Sequence, residues 1–279
     1  MPFIEVEQGK LFYEIRGEGN WLVLLHGAWA CQEWWSWQVP YLAQKYRVLT
    51  LDLRGHGQSS PLREPHSVEG FTRDLEIFLQ KVGITEVVLI GWSMGGMISI
   101  QYCLQNPWPV RALILIATRG HRHPDMKRRI LFQYLKARLS LLVDLAAPRK
   151  YDRGTESFPG ERERIEEEFQ AMLAPAAPLE VREWVKADLE HHPRKNYFEI
   201  AKSFWDWEAG EKIRKITLPT LILVGSQDVH TPPACAHSLN RIIPGSQLII
   251  VEGAGHCLPL ECPERVNREI VEFLKKVGY

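Results

Sequence analysis

Val87-Val88-Leu89-Ile90-Gly91-Trp92-Ser93-Met94-Gly95-Gly96-Met97-Ile98 is the stretch on which the fold turns. Its first part is β-branched and apolar on both sides of the backbone, as in a strand buried between two layers. A Gly-x-Ser-x-Gly turn follows directly, and an apolar helical pattern follows that. Strand, glycine-flanked serine and helix in this order form a nucleophile elbow. So sharp a turn strains the serine backbone and leaves no room for side chains beside it, so glycine is expected at Gly91 and Gly95, while Gly96 makes room where helix crosses strand. Ser93 Oγ would then stand at a helix N-terminus, where negative charge is favoured. The plainer reading, a common pentapeptide with Ser93 as an ordinary N-cap, stays open until the chain supplies a base and an acid.

Upstream, Phe3–Glu7 and Leu11–Arg16 alternate around Gln8-Gly9-Lys10 and predict an opening antiparallel hairpin. Trp21–Leu25 reads as a buried strand ending at His26-Gly27-Ala28-Trp29, followed by one Trp-rich helical stretch over Glu33–Gln44. Tyr46–Asp52 is the next strand, and a glycine-punctuated turn follows. Ser67–Val82 is helical by its period. After the elbow helix comes the strand Val110–Ala117. From about Arg119 to Ile216 nothing reads as a strand; helices are expected around Met126–Leu145, Glu161–Leu173, Leu179–Leu189 and Lys195–Trp207. The α/β rhythm then resumes with a strand at Thr220–Val224, a helix near Ala234–Ile242, a strand at Gln247–Val251 and a last helix at Pro263–Lys276. This alternation predicts a mostly parallel sheet covered on both faces and interrupted by an all-helical insertion, most simply a lid.

Two loops after later strands carry the missing partners. Asp228 lies in Gly225-Ser226-Gln227-Asp228, and His256 in Glu252-Gly253-Ala254-Gly255-His256. In a parallel sheet both loops emerge at the carboxyl edge, where Ser93 also sits. The order Ser93, Asp228, His256 suits nucleophile, orienting acid and base. A serine hydroxyl is hardly ionised near neutral pH, so it needs His256 to take its proton, and Asp228 to hold the imidazole in one tautomer. The backbone N–H groups of Ala28 and Met94 are the candidates for an oxyanion hole.

Composition bounds the partners. The 279 residues carry 34 Lys+Arg against 34 Asp+Glu, so the zero formal charge suggests neither a nucleic-acid nor a membrane-surface partner. The five cysteines (Cys31, Cys103, Cys235, Cys257, Cys262) form no metal-type pair and read as reduced buried thiols in a cytosolic protein. The start of the chain lacks the pattern of a signal peptide, and no apolar run reaches a bilayer span.

With these pieces together, the chain resembles the α/β-hydrolase superfamily along nearly its whole length; in the insertion only the architecture is similar. The matching pieces are His26-Gly27, Asp52-x-Arg54-Gly55-x-Gly57-x-Ser59, Gly91-x-Ser93-x-Gly95-Gly96, Asp228 with Pro232, and Gly255-His256 with Glu261-x-Pro263-Glu264. The resemblance implies an α/β-hydrolase fold: a mostly parallel eight-stranded sheet with helices on both faces and an all-helical cap after the sixth strand. The core would comprise residues 1–118 and 217–279, and the cap residues 119–216. Gly-Trp-Ser-Met-Gly-Gly is most similar to small capped carboxylesterases, among them pimeloyl-acyl-carrier methyl ester esterases, enol-lactonases and cofactor-free perhydrolases. This implies a serine hydrolase that cleaves carboxylic esters through an acyl-enzyme, without cofactor or metal. Relatives with an aspartate nucleophile, the haloalkane dehalogenases and epoxide hydrolases, are disfavoured by Ser93. A lactonase, C–C hydrolase, lyase or perhydrolase on the same scaffold, and a ligand receptor retaining the triad, remain open.

Other candidates have plainer readings. His26 is expected to brace the oxyanion loop, His56 to be structural, and Asp52 and Arg54 to pair within their turn. His230 lies close to Asp228, but the glycine-flanked His256 fits the order better, and Cys257 reads as a buried filler. Among ten tryptophans, Trp29 and Trp92 are the expected pocket walls, which suits a small-molecule ester with an apolar acyl or aromatic group. From Arg119 to Lys150 nine basic residues face two acids, Asp125 and Asp144. Such a run is usually a solvated helix face; the sharper reading is a docking site for an acidic carrier protein or an anionic ester.

Overall fold

Residues 87–92, apolar on both sides, form strand β5 (Val87–Trp92), in which all six residues are buried. The computed structural model describes residues 3–62, 66–105, 110–121, 169–191, 200 and 203–279. Before β5 come β1 (Phe3–Val6), β2 (Gly9–Arg16), β3 (Trp21–Leu25) and β4 (Arg47–Leu51); after it come β6 (Val110–Ile116), β7 (Thr220–Gly225) and β8 (Gln247–Val251). They make one eight-stranded sheet in the order β1-β2-β4-β3-β5-β6-β7-β8. The first two strands pair antiparallel and β2 joins β4 antiparallel; the other neighbours are parallel. The eight strands fall where the sequence predicts them, within a residue or two at their ends.

Register positions the site. Leu25 pairs with Gly91, Trp92 with Ile116, Ile116 with Leu223 and Gly225 with Val251. The carboxyl ends of β3, β5, β6, β7 and β8 are therefore level, and the loops after them share one edge.

Among the described residues the helices are α1 (Val39–Leu42), α2 (Val68–Val82), α3 (Met94–Gln105), α4 (Leu179–His191), α5 (Pro233–Ile242), α6 (Leu258–Glu261) and α7 (Pro263–Lys276). Ser67 caps α2, its Oγ accepting from Gly70 N at 3.1 Å, and Gly83 ends it in the left-handed region. α3 packs against α2 and across β3, β5 and β6; α7 packs on β7 and beside α1. Strands buried along their whole length, such as β5 and β7, require this cover on both faces. Among the described residues no helix is long and apolar enough to cross a membrane.

Two expectations are corrected. The single helix over Glu33–Gln44 is two one-turn pieces, Gln32–Trp35 and α1, because Trp34 and Trp35 are both buried and Pro40 starts a new turn. Asp52 and Arg54 do not pair. Asp52 Oδ1 accepts from Gln32 N (2.7 Å) and Oδ2 from Gln58 N (2.8 Å), so its carboxylate ties two loops by their backbones. Arg54 forks onto Asp74 of α2, with Nε and Nη2 each 3.0 Å from one carboxylate oxygen, and both side chains are 4 % exposed. Of the insertion, α4 matches the expected Leu179–Leu189 helix, and Phe169–Met172 and Ser203–Trp205 are helical. The Met126–Leu145 helix and the larger parts of the other two lie outside the described residues.

Removing one member of a buried ion pair strands the other charge in the interior, at a cost of about 3–5 kcal/mol. Asp74→Ala is expected to lose that much in urea unfolding.

Candidate active site

The chain turns from β5 into α3 at Ser93, the residue with φ 53° between them. Such a backbone is strained for a residue with a side chain and persists because its surroundings dictate it. A Cβ on Gly91 would collide with the Gly95 carbonyl, and one on Gly95 with the Leu25 and His26 carbonyls. Gly96 faces Thr118 at 2.7 Å from a would-be Cβ. Thr118 Oγ1 donates to Ser93 O at 2.7 Å, and Ser93 N donates to Ile116 O at 2.9 Å. The expected glycine requirement is thus a matter of backbones in contact.

Ser93, His256 and Asp228 are brought together. Ser93 Oγ lies 3.0 Å from His256 Nε2, and His256 Nδ1 lies 2.9 Å from Asp228 Oδ2. Asp228 is saturated with donors: its Oδ1 accepts from His230 N and Thr231 N, and its Oδ2 also accepts from Thr231 Oγ1, each at 2.8 Å. It is both turn-former and partner of the imidazole. Burial alone would push its carboxyl up, but His256 and the Thr231 hydrogen bonds outweigh that and hold it below the ordinary carboxylate value. An ionised Asp228 fixes the proton on Nδ1 and leaves the Nε2 lone pair facing Ser93. His230 stacks at a tilt beside His256, 5.3 Å between ring centroids, and its ring is not in the line from Asp228 to Ser93.

The backbone of His256 is clamped on both sides. Its N–H donates to Met172 O at 2.8 Å, and its carbonyl accepts from Trp92 Nε1 at 2.8 Å. Trp92 is 2 % exposed and stacks on Trp34 (5.0 Å, 18°), whose Nε1 donates to Asp188 of α4 at 3.1 Å. The residue expected as a pocket wall is therefore also a strut beneath the histidine. Trp29, in the left-handed region at φ 61°, packs edge-on against Phe204 of the insertion, 5.7 Å between centroids.

His26 is buried, with Nδ1 2.7 Å from Gly27 O and Nε2 accepting from Leu53 N at 3.0 Å. One nitrogen donates and the other accepts, so the ring braces the loop as a neutral imidazole. A Cβ on Gly27 would come 3.1 Å from Ser93 Cβ, which shows how closely that loop approaches the elbow. Ala28 and Met94 are both buried, and among the described residues neither N–H has an acceptor. Buried orphan N–H groups are rare in folded proteins. Cys257 is fully buried, and burial pushes its thiol well up, which suppresses the thiolate. Arg119, counted in the basic run, is 1 % exposed, with its guanidinium donating to the Phe204, Trp205 and Trp207 carbonyls. Residues 122–150 of that run lie outside the described residues.

Sequence reasoning missed Thr231, Trp34 and Glu261. Asp228-x-x-Thr231 was readable as an Asx-type turn whose hydroxyl reaches back to the acid. Glu261 stood in a quoted motif without a role. Its buried Oε2 accepts from Gly255 N and Ala174 N, each at 2.9 Å.

An elbow serine, a buried acid and a histidine converging on the carboxyl edge of such a sheet define an α/β hydrolase. The chain belongs to the Alpha/beta hydrolase family, whose profile matches residues 22–269. It is similar to the bifunctional epoxide hydrolase 2 of Sus scrofa, 25% identical over 95% of this chain and 53% of that protein, so it spans about half of that relative's length. It is 27% identical to the pimeloyl-acyl-carrier-protein methyl ester esterase of Aliivibrio salmonicida, over 95% of this chain and 96% of the relative. A thermophilic esterase from Thermogutta terrifontis, solved with malate bound, superposes with TM-score 0.79 at 27% identity, covering 97% of this chain and 95% of that one.

The depressed native value of Asp228 has a consequence for stability. The unfolded chain takes up this proton more readily than the folded one, so the contribution is complete above the ordinary value of 3.8 and is lost as pH falls through the lower native one. The difference in unfolding free energy between wild type and Asp228→Asn should therefore shrink as urea melts are taken from about pH 5 down to about pH 3.

Proposed function

We propose that the protein is a serine hydrolase of carboxylic esters that works through an acyl-enzyme, with Ser93 as nucleophile, His256 as base and Asp228 as orienting acid. The observation that carries this reading is the unbroken line from Ser93 Oγ through the two nitrogens of His256 to Asp228, at 3.0 and 2.9 Å. In the first step Ser93 Oγ attacks the ester carbonyl while Nε2 takes its proton; the tetrahedral intermediate collapses, and the imidazolium returns the proton to the departing alkoxide. Water, deprotonated in turn by His256, attacks the acyl-enzyme, and the acid leaves with Ser93 restored. The orphan N–H groups of Ala28 and Met94 are assigned to the oxyanion, each such donor being worth roughly 3 kcal/mol of barrier.

Similarity to an epoxide hydrolase does not carry that reaction over. A serine that opened an epoxide would be left as an alkyl ether, which has no carbonyl for water to attack, so Ser93 could not turn over. An ester or its cyclic form, a lactone, gives an acyl-serine that water can cleave. The insertion, taken as a cap over residues 119–216, would set specificity. Supporting this, Met172 and Phe204 touch the loops of His256 and Trp29. An apolar acyl or aromatic ester suits the Trp29 and Trp92 environment, and five free thiols suit a reducing compartment such as the cytoplasm.

Short-chain nitrophenyl esters and lactones should be turned over many times, and Ser93→Ala should abolish both turnover and labelling by a serine-reactive phosphonate. A single slow turnover with a large melting shift would instead indicate a receptor, and cleavage only of a C–C substrate would move the protein to that class.

The similarity to a pimeloyl-acyl-carrier-protein methyl ester esterase and the basic residues of 122–150 together support an acidic carrier as substrate donor. Turnover of a carrier-linked ester should then fall with added salt several-fold more steeply than that of its free analogue; equal salt responses would remove the carrier from the scheme.

A further inference from the structure

Glu261, in the one-turn helix α6, is 7 % exposed and stands five residues after His256. Its Oε2 accepts two backbone N–H groups from distant parts of the chain: Gly255, which immediately precedes the histidine, and Ala174, in the insertion. The other oxygen, Oε1, is buried and has no hydrogen-bond partner among the described residues. It would lie 3.0 Å from a Cβ on Gly255, so it is held against the backbone of the histidine loop. Folding does not leave a buried carboxylate oxygen unpaired without cost. A glutamine would have offered the same two-fold acceptor with no charge to desolvate. The arrangement retains a charge that its hydrogen bonds do not need.

We propose that Glu261 is a positioning residue for His256: its buried carboxylate ties the histidine loop to the insertion at Ala174 and supplies a second negative charge to the imidazolium that forms when Ser93 attacks. The inference rests on the reading of Ser93 and His256 as nucleophile and base. Asp228 meets the imidazole at Nδ1, directly; Glu261 acts on the same ring from the side of its own backbone, through Coulomb attraction. Burial pushes the Glu261 carboxyl above its ordinary value, while the N–H groups of Ala174 and Gly255 and the charge of His256 oppose that rise. Among the described residues, the other titratable groups facing this pair are Asp228 and His230 beside the imidazole and the thiols of Cys257 and Cys262 beside the carboxylate. Attraction between Glu261 and the imidazolium is reciprocal, so removal of the carboxylate charge makes His256 harder to protonate.

The test uses the rate of phosphonate labelling of the whole protein as a function of pH, which needs no knowledge of the natural substrate. In Glu261→Gln the acid limb of this rate should move to lower pH by about half a unit or more, and the plateau should fall about threefold or more, as expected when one nearby charge is lost. In Glu261→Asp, which keeps the charge but withdraws it from Ala174, the limb should stay in place while the plateau falls. A Glu261→Gln limb superimposed on wild type would overturn the proposal, whatever happens to the melting temperature. If Glu261→Gln does not fold, Glu261→Asp decides: an unmoved limb with a lowered plateau supports the proposal, and a displaced limb or an unchanged plateau overturns it. Labelling that persists in Ser93→Ala would instead remove the underlying nucleophile assignment, a result separate from either outcome at Glu261.

Discussion

The chain must reverse from a buried strand into a helix within one residue, and it does so at Ser93 with a positive φ. That reversal is possible because glycines permit close approach: Gly91 lies backbone to backbone against Gly95, Gly95 against the end of β3, and Gly27 against the Trp92 ring and the Ser93 Cβ. The same contacts level the ends of β3 and β5 and bring the loop of Ala28 beside Ser93. A larger side chain at any of the three would displace the loop, the helix or the strand. The strain at Ser93 is thus sustained by the centre of the sheet, where the hydrophobic core is fully buried.

The histidine is held by different means. His256 comes from the end of β8, the edge strand of the sheet, and its loop cannot rely on sheet pairing on both sides. It is secured instead by polar ties to three separate regions: Trp92 from the elbow, Met172 from the insertion, and Glu261 from the short helix that follows. Two of the ties involve the insertion, through Met172 and Ala174. The geometry of His256 is therefore linked by backbone hydrogen bonds to the segment between β6 and β7.

Much of this was legible in the sequence because it depends on local rules. The strand before Ser93, the glycines around it and the order Ser93, Asp228, His256 are patterns of spacing and residue type, and a parallel sheet brings loop ends together by its topology alone. What was not legible depends on who meets whom across the chain. Asp52 and Arg54 are two residues apart and oppositely charged, so pairing was the natural expectation; yet Arg54 found Asp74 on α2, and Asp52 was taken by the backbone of Gln32 and Gln58. Trp92 looked like a pocket wall by adjacency to Ser93, and only the fold reveals that its N–H is committed to His256. The break within Glu33–Gln44 has the same origin. Period alone favours one helix, but burying Trp34 and Trp35 side by side does not suit a single amphipathic face.

Arg119 shows how a count of charges can mislead about a surface. It opens the basic run, yet it is buried, and its guanidinium gathers the carbonyls of Phe204, Trp205 and Trp207. Ala209 N also donates to Gly120 O, at 3.1 Å, so the chain just after β6 is tied to the stretch that leads back toward β7. Phe204, one of the residues so fastened, packs on Trp29 next to Ala28. The segment between β6 and β7 is held by the inward charge of Arg119 near its start and by Met172 and Ala174 near its middle, and both contacts bear on groups that surround Ser93 and His256. A change in this segment that moved either contact would reach the surroundings of Ser93 and His256 through backbone hydrogen bonds and the Phe204–Trp29 ring contact.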